Sequence, residues 1–263
     1  MTGRDDGDPE PGLDLPDRPG VAASAEPEPH AGDEPVVHAI GIGPGNPELL
    51  TRRGGRLLRE ADVVVGFETV VDYVADETDA DLLTCGYRDE REALARFARR
   101  VAAGDRGVAV LMGDPNHSGY QFLGKVEAAV DAPVRVVPGI SSVQVAASRA
   151  RTPLEDSTFV TLHVRGDVTA DLDRLVGDAG DRHLIVIPRP YDWMPEDVAG
   201  RLVDAGADPA LDALVMERLT HSDEAITRTD LGSLAEDAGG DAPEDSPFSD
   251  LSVLVVRRNS DRV

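Results

Sequence analysis

Short apolar runs alternate with amphipathic segments along the first half of the chain. The runs cover 36–42, 62–66, 81–85, 107–112 and 133–137, and each has the length of a buried strand. The segments between them show helical spacing, which places Leu94, Phe97 and Val101 on one face of the segment that contains them. Strands that alternate with helices in this way predict a parallel sheet covered by helices, so we expect the α/β class.

The second half of the chain continues the alternation with one difference. Apolar runs recur at 157–164, 183–187, 211–217, 224–229 and 251–257. No long helical segment separates the run that ends at 217 from the run that begins at 224, so these strands should pair antiparallel. The pattern therefore predicts two α/β domains, with a parallel sheet in residues 36–150 and a mixed sheet in residues 151–258.

The ends of the chain have a different composition. Residues 1–35 contain seven prolines, ten acidic residues and two arginines, and they include no aromatic residue. Such a segment cannot bury enough apolar surface to offset the entropy lost on ordering, so we expect a disordered acidic tail. Residues 259–263 are expected to form a second, short tail.

Acidic residues outnumber basic residues. The 263 residues include 50 Asp and Glu against 26 Lys and Arg, which gives a net charge of −24. This charge argues against unassisted binding to nucleic acid or to an anionic membrane. Lys125 is the only lysine, and a surface rich in acids and poor in lysine stays hydrated in concentrated salt. We therefore expect a halophilic source, with an acidic interaction protein as the alternative.

The sequence predicts neither a signal peptide nor a membrane span, and it contains one cysteine. The N-terminus lacks a basic region followed by an apolar stretch, and no run approaches the roughly 18 apolar residues that span a membrane. We therefore expect a cytoplasmic protein. The single cysteine, Cys85, excludes an internal disulfide and a zinc site built on cysteines. Its apolar neighbours predict a buried strand residue.

A glycine-rich loop, Gly41-Ile42-Gly43-Pro44-Gly45-Asn46, follows the first predicted strand and precedes a helix. A dinucleotide-binding fingerprint would need glycine in place of Asn46, and a P-loop would need a following Gly-Lys-Ser/Thr sequence. Glycine at a strand end still lets a ligand approach the backbone, and Pro44 stiffens the turn. By itself, the loop is equally compatible with a tight strand-to-helix turn.

Three further loops lie at predicted strand ends, where open α/β sheets bind ligands. They are Met112-Gly113-Asp114-Pro115-Asn116-His117, Val137-Pro138-Gly139-Ile140-Ser141-Ser142 and Leu162-His163-Val164-Arg165-Gly166-Asp167. Together with residues 41–51, and in this order and spacing, they resemble the tetrapyrrole methyltransferases over residues 36–258. Within that family, residues 138–144 and 159–163 are most similar to the cobalt-precorrin-7 (C5)-methyltransferases of cobalamin biosynthesis.

The resemblance implies a homodimer of two-domain chains that uses S-adenosyl-L-methionine to methylate a tetrapyrrole ring carbon, here C5 of a cobalt-precorrin. A separate protein would then carry out the methylation and decarboxylation at C-15. The positions that the resemblance assigns to the cofactor are Pro44, Gly113, Asp114, Pro115, Ser141 and Ser142. Judged from the residues alone, Asp114 could be a turn residue before Pro115, and the two serines could be helix N-caps.

A tetrapyrrole substrate carries several carboxylates, so arginines are expected to bind it. Arg165 and Arg189 are the candidates, because a guanidinium group binds a carboxylate in bidentate fashion, although each is also compatible with an ordinary ion pair. His163 or His117 has the intrinsic pKa to accept a proton after methylation, a role that water could also fill. The histidines lack the paired spacing of metal ligands, so we expect no metal site, and cobalt would arrive within the substrate.

Two other functions are compatible with these residues. One is methylation of another ring position of a precorrin or of uroporphyrinogen. The other is a non-catalytic nucleotide-binding regulatory module that interacts through its acidic tail. The presence of both Gly113-Asp114-Pro115 and the 138–142 loop favours an enzyme, because a module that needs only a turn would not require both.

Overall fold

The computed structural model describes residues 36–117, 120–164, 166–190, 192–239 and 245–259. The predicted acidic tail over residues 1–35 lies outside these ranges, as do residues 260–263 of the predicted C-terminal tail. The chain divides between Ser141 and Ser142 into two compact units. Both units combine helices and strands, which confirms the predicted α/β class.

The first unit is built on a sheet whose described strands are all parallel. They are β1 (Val37–Gly41), β2 (Val63–Phe67), β3 (Asp81–Cys85), β4 (Gly107–Leu111) and β5 (Val134–Val137), in the spatial order β3-β2-β4-β1-β5. β1 therefore lies between β4 and β5. The connection from β1 runs to β2 toward one edge of the sheet, whereas the connection from β4 runs past β1 to β5 at the other edge. The parallel sheet predicted for the first half is confirmed.

Helices cover both faces of this sheet. They are α1 (Arg52–Glu60), α2 (Glu68–Asp72), α3 (Glu90–Ala102) and α4 (Tyr120–Ala129), with short 3-10 helices at Pro47–Leu49 and Ala75–Glu77. Successive strand residues point to opposite faces, so Ile40 and Val64 pack with α1 and α2, whereas Ala39 and Val65 pack with α3 and α4. Burial on both faces explains why the strands appear in the sequence as continuous apolar runs.

A nearly buried ion pair joins the first turn of α3 to α4. The Nζ atom of Lys125 lies 2.5 Å from Oε2 of Glu90, and the two side chains are 15% and 10% exposed. Cys85 lies in the apolar core on the same face and is buried, as predicted for a strand residue. Burial, together with the nearby Glu90 and Asp89 carboxylates, raises the pKa of Cys85 to about 12, so its thiol stays protonated at neutral pH.

The second unit contains a mixed sheet. Its strands are β6 (Ser157–Thr161), β7 (His183–Ile187), β8 (Asp212–Glu217), β9 (Ala225–Asp230) and β10 (Ser252–Val256), in the order β6-β7-β10-β8-β9. β6 and β7 are parallel, whereas β10 pairs antiparallel with both β7 and β8. β8 and β9 are antiparallel, which confirms the pairing predicted from their short connection.

The helices of the second unit are α5 (Ser142–Ala150), α6 (Thr169–Asp178), α7 (Pro195–Asp204) and α8 (Leu231–Ala235), with a short 3-10 helix at Leu154–Asp156. α5 packs through Val143, Ala146 and Ala147 against apolar residues of β7, β8 and β10. This apolar face attaches α5 to the second sheet. The division between the units therefore falls before α5, whereas the sequence predicts a boundary after it.

Candidate functional site

The carboxyl ends of β1, β4 and β5 lie side by side at one edge of the first sheet, because these strands are parallel neighbours. The loops that leave them cover residues 42–51, 112–119 and 138–141, of which 118 and 119 lie outside the described residues. The connections from β1 and β4 leave this edge in opposite directions, and the crevice between such strand ends is where open α/β sheets bind ligands. Three of the four loops identified in the sequence therefore meet at a favourable place for a ligand.

Three glycines at this edge pack backbone against backbone. A Cβ atom added to Gly139 would lie 2.2 Å from the carbonyl oxygen of Gly113 and 2.7 Å from the carbonyl carbon of Gly41. A Cβ atom added to Gly41 would lie 2.4 Å from the same Gly113 oxygen. Real Cβ atoms do not approach backbone so closely, so positions 41 and 139 require glycine. We call Gly41, Gly113 and Gly139 the glycine junction.

Two backbone hydrogen bonds join the first and second loops. The N–H of Gly43 donates to the carbonyl of Gly113 (3.2 Å), and the N–H of Gly113 donates to the carbonyl of Gly43 (2.8 Å). Gly43 has a φ of +90° and Gly113 a φ of +63°, in the left-handed region that favours glycine. The space that a side chain would occupy at positions 41 and 139 is filled by backbone of the neighbouring loops, so these glycines bring the three loops together at the strand ends.

Three hydrogen bonds hold the Asp114 carboxylate within the protein. Its Oδ2 accepts from the N–H of Gly139 (3.0 Å), and its Oδ1 accepts from the backbone N–H (2.8 Å) and the side-chain amide (2.9 Å) of Asn116. Asp114 is only 7% exposed. It therefore ties the second loop to the third. Asn116 received no role from sequence reasoning, although an Asp-Pro-Asn sequence is typical of turns closed by side-chain hydrogen bonds.

The remaining cofactor candidates differ in position. Pro44 and Pro115 are buried in their loops, and Ser141 is 2% exposed. Ser141 is the last residue of the first unit, whereas Ser142 is half-buried and begins α5 in the second unit. Five of the six predicted cofactor residues thus belong to the loop edge of the first unit, and Ser142 does not.

The two candidate proton acceptors lie in different units. The backbone N–H of His117 donates to the carbonyl of Asp114 (3.0 Å), which places this half-buried residue at the end of the second loop. His163 follows β6 in the second unit, and its side chain is exposed. A proton-accepting role for either residue stays a prediction.

The guanidinium group of Arg189 is engaged by its neighbours in the second unit. Its Nε and Nη2 donate to the two carboxylate oxygens of Asp192 (2.7 and 2.5 Å), and its Nη1 donates to the carbonyls of Val164 (3.2 Å) and Gly166 (2.8 Å). Arg189 therefore joins the turn after β7 to the loop after β6. Arg165, the other predicted substrate arginine, lies outside the described residues.

Asp167 holds the far end of the loop after β6. Its Oδ1 accepts from the hydroxyl (2.6 Å) and the backbone N–H (2.9 Å) of Thr169, the first residue of α6. These hydrogen bonds hold the pKa of Asp167 below its usual range, so the carboxylate is charged at neutral pH. Charged side chains thus hold the part of the loop that follows His163.

Neither a metal cluster nor a membrane span occurs in the described part of the chain. In those ranges, no group of three or more His, Cys, Asp or Glu side chains is arranged to hold a metal ion. No helix formed by the described residues is both long and apolar enough to cross a bilayer.

Residues 36–235, which include the glycine junction and the Asp114 hydrogen bonds, match the family of Tetrapyrrole (Corrin/Porphyrin) Methylases. The chain belongs to this family. The resemblance of the four loops to tetrapyrrole methyltransferases is thereby confirmed at the level of the family, and the match covers the whole of the first unit that the structure describes.

Three proteins illustrate the range of tetrapyrrole methylases to which this chain is similar. A probable cobalt-precorrin-7 C(5)-methyltransferase of Methanocaldococcus jannaschii is 32% identical over 84% of this chain and 97% of the relative. A siroheme synthase of Gluconacetobacter diazotrophicus is also 32% identical, over 76% of this chain but only 46% of that protein. The solved structure of a uroporphyrin-III C-methyltransferase from Thermus thermophilus complexed with S-adenosylhomocysteine is 25% identical, with a TM-score of 0.63 over 84% of this chain and 91% of that chain. The predicted fold, a parallel sheet followed by a mixed sheet, is that of this family.

Proposed function

We propose that this chain is an S-adenosyl-L-methionine-dependent C-methyltransferase that methylates C5 of a cobalt-precorrin in cobalamin biosynthesis. The observation that carries the proposal is the match to 97% of the Methanocaldococcus jannaschii relative. The chain spans about half of the siroheme synthase that it matches. The 32% identity over nearly the whole of the Methanocaldococcus jannaschii relative supports the cobalt-precorrin enzyme.

The glycine junction fits S-adenosyl-L-methionine as cofactor. The junction fixes the loops at the ends of β1, β4 and β5, and the connections from β1 and β4 run toward opposite edges of the sheet, which is the arrangement where open α/β sheets bind ligands. The Asp114 carboxylate already accepts three hydrogen bonds, so we assign it to holding the loops. Pro44, Gly113, Pro115, Ser141 and Ser142 stay our candidates for contact with the cofactor.

S-adenosyl-L-methionine, when bound, supplies a methyl group activated by a sulfonium. Transfer to carbon is an in-line displacement, which requires the acceptor carbon to be held about 3 Å from the methyl group, opposite the sulfur. The main contribution of the chain is therefore orientation, and preformed loops such as those joined by Asp114 supply it. Loss of a proton from the substrate requires an acceptor, for which we propose His163 or His117, with water as the alternative.

We propose that Arg165 and Arg189 act on the carboxylates of the substrate in different ways. Arg189 uses four of its five N–H groups within the protein, so its contribution is to hold the loop that contains His163 and Arg165. Arg165 then is the better candidate for direct contact. Arg165→Ala should weaken tetrapyrrole binding and leave S-adenosylmethionine binding intact, and equal loss of both ligands would contradict this role.

A second candidate is methylation of another ring position of a precorrin or of uroporphyrinogen. Similarity to a siroheme synthase and to a uroporphyrin-III C-methyltransferase favours it. The two candidates are separated by incubating the protein with a 13C-methyl donor and each tetrapyrrole, followed by mass spectrometry and NMR of the product. We expect a new methyl group at C5 of the cobalt-precorrin, and a methyl group at another carbon would overturn that assignment.

A regulatory module without catalysis is the alternative from a different class. Two measurements in molar salt test this alternative. They are calorimetry with S-adenosylmethionine and thermal unfolding with and without that ligand. We expect a binding heat and a higher melting temperature in the presence of the ligand. Absence of both would favour the regulatory module.

We also propose the cellular setting that the resemblance and the composition favour. In this proposal the chain forms a homodimer in a salt-rich cytoplasm, and a separate protein carries out the methylation and decarboxylation at C-15. Light scattering should give the mass of two chains, and the melting temperature should rise with KCl, because screening weakens repulsion between the surface acids. The mass of one chain would contradict the homodimer, and a melting temperature that does not depend on salt would contradict the adaptation to a salt-rich cytoplasm.

A further inference from the structure

Helix α1 carries four arginines within a strongly acidic chain. Its sequence, RRGGRLLRE, contains Arg52, Arg53, Arg56 and Arg59. All four line a cavity of about 580 Å³, whose other walls are the 47–51 turn, Gly55 and Glu77. We call this cavity the α1 groove. Ligand sites typically have volumes of about 300–1,000 Å³, so the groove is large enough for a small ligand or for part of a larger one.

The α1 groove has an excess of positive charge. Arg56 lies 2.9 Å from Glu60, and Arg59 lies 3.7 Å from Glu77. Arg52 and Arg53 form no ion pair with any of the residues that the structure describes. Two guanidinium groups are therefore left without a described protein counter-ion, although the chain has a net charge of −24.

The position of these two arginines is unfavourable for the helix itself. They occupy the first turn of α1, where the positive end of the helix dipole favours acidic side chains. The first turn of α1 contains no acid, whereas α3 has Glu90 and Glu92 in its first turn. Helix stability does not explain arginines here, but a negatively charged ligand does, because it would neutralise them.

Gly55 forms the floor of the α1 groove, one turn from both Arg52 and Arg59. A Cβ atom added there would lie 3.4 Å from Nη1 of Arg59 and 3.6 Å from Cδ2 of Leu50, which is ordinary contact. Alanine is the better helix former, so packing and helix propensity do not account for glycine at this position. Its effect is to leave space above the helix backbone and among the arginines.

We propose that the α1 groove binds carboxylate groups of a tetrapyrrole, an inference that rests on the proposed function. Arginine binds carboxylates through paired, charge-assisted hydrogen bonds. The net charge of −24 disfavours approach of a polycarboxylate, and a local group of arginines offsets that repulsion. The groove begins at the 47–51 turn, which continues the loop that contains Pro44, so the bound carboxylates lie next to the loop edge of the first unit.

Uroporphyrin I, a fluorescent octacarboxylate, is the probe for this proposal. Its affinity is measured by fluorescence titration of the wild type, of Arg52→Gln/Arg53→Gln, and of the matched control Arg91→Gln/Arg96→Gln. Arg91 and Arg96 are exposed on α3, which covers the opposite face of the first sheet, so the control removes the same charge. We expect about 10-fold weaker binding for the α1 variant and less than about 2-fold change for the control.

A second variant tests the groove without changing its charge. Gly55→Leu fills the floor with a side chain, so uroporphyrin I should bind less tightly, while the melting temperature shows that the protein is folded. Equal weakening by the α1 and α3 double variants, or no effect of Gly55→Leu in a folded protein, would overturn the proposal. So would competition by pyrophosphate at lower concentration than by citrate, because that result identifies a phosphate site.

Calorimetry with S-adenosylhomocysteine on the same proteins separates this inference from the proposed function. An α1 variant that loses uroporphyrin I but keeps S-adenosylhomocysteine supports the groove. A wild-type protein that binds uroporphyrin I through Arg52 and Arg53 but does not bind S-adenosylhomocysteine contradicts the proposed methyltransferase and leaves the porphyrin-binding groove supported. A wild type that binds S-adenosylhomocysteine but no porphyrin overturns the groove alone.

Discussion

The loops at the strand ends of the two units are held by different means. In the first unit, the glycine junction brings backbone against backbone, and the buried Asp114 carboxylate joins two of the loops. In the second unit, the loop after β6 and the turn after β7 are joined by Arg189, which donates to Asp192 and to the carbonyls of Val164 and Gly166. One arrangement depends on missing side chains, and the other depends on a single long, charged side chain.

This difference predicts different tolerance of change. Backbone atoms in the glycine junction cannot move aside without displacing the strands, so the junction should be rigid and sensitive to one added atom. The partners of Arg189 are more accessible to solvent, since its side chain is 21% exposed and that of Asp192 is 52% exposed. Water and salt weaken such an ion pair, so the loops of the second unit should open more easily.

The substitution Gly139→Ala should have the largest effect. The new Cβ atom would lie 2.2 Å from the backbone oxygen of Gly113, a contact that no rotamer relieves. We expect the free energy of unfolding to fall by about 3 kcal/mol, at the upper end of overpacking effects, and S-adenosylhomocysteine binding to be lost. Denaturant unfolding and calorimetry measure the two effects.

Gly177→Ala in α6 is the control for this substitution. A Cβ atom added at Gly177 meets nothing within 4 Å, and alanine favours the helix by about 1 kcal/mol, so this variant should be as stable as the wild type or more so. If Gly139→Ala kept both the stability and the ligand affinity of the wild type, the glycine junction would not be a rigid part of the site.

Asp114→Ala should have the next largest effect, a loss of about 2–3 kcal/mol, because it leaves the buried N–H of Gly139 without an acceptor and removes both hydrogen bonds from Asn116. Asp114→Asn keeps one acceptor oxygen and should lose about half as much. Unfolding and S-adenosylhomocysteine affinity should weaken in the same order. An asparagine variant with normal stability but reduced affinity would instead indicate direct contact of the carboxylate with the ligand.

Asp173→Asn serves as the matched control in the second unit. Asp173 pairs with Arg201 at 3.1 Å, and its side chain is 61% exposed. An exposed ion pair contributes little, so we expect a change of at most about 0.5 kcal/mol. A larger change would weaken the distinction between buried and exposed carboxylates on which the Asp114 prediction depends.

Arg189→Lys should have a smaller effect, about 1–2 kcal/mol, because lysine cannot reproduce the bidentate contact with Asp192 and the two bonds to carbonyls. Limited proteolysis should cut the 162–167 loop faster in the variant, while Arg174→Lys, on the exposed face of α6, should leave the rate unchanged. Weaker uroporphyrin I binding with an unaltered cleavage rate would indicate that Arg189 contacts substrate instead.

The smallest expected effect comes from a buried glutamate. Glu90 in the first unit has Lys125 as its partner, whereas Glu196 in the second unit is 3% exposed, and burial raises the pKa of its carboxyl group. A raised pKa means that ionisation destabilises the folded state: the cost is absent below the pKa of the unfolded chain and grows as the pH rises through the pKa of the folded state. Glu196→Gln should therefore increase stability at pH 7.5 by about 0.5 kcal/mol, or roughly 1–2 °C in melting temperature.

Melting temperatures of Glu196→Gln and the wild type between pH 5 and pH 7.5 test this prediction. The difference between the two proteins should shrink as the pH falls, because protonation of the wild-type carboxyl group removes the cost of burying its charge. A difference that stays constant over this range would show that the ionisation of Glu196 has no part in it.

Most of the fold could be predicted because burial on both faces leaves a clear pattern. The strands of the first sheet appear as continuous apolar runs, and the short connection after residue 217 indicated the antiparallel pair β8–β9. The boundary of the units was harder to locate. α5 has an apolar face that could pack on either sheet, and its sequence contains nothing that selects the second.

The site was predictable as a set of loops but not as a set of contacts. Strand ends followed by glycine mark the loops, whereas the close approach of Gly41 to Gly139 depends on strand order, which places β1 between β4 and β5. The bonds from Arg189 to Val164 and Gly166 cross more than twenty residues of sequence, and local pattern carries no signal for them. In the sequence, Lys125 is distinctive only as the single lysine. Its burial against Glu90 depends on the packing of α3 on α4, which the local sequence does not indicate.

Lys125 also provides a way to measure local unfolding of the first unit by proteolysis. A lysine-specific protease has one peptide bond to attack, between Lys125 and Val126, and Val126 is 0% exposed in the core of the first unit. Cleavage at that bond requires α4 to leave the sheet, whereas trypsin finds arginines throughout both units. Under conditions where the open form is cut slowly, the rate of this single cut measures the fraction of molecules in which α4 has left the sheet.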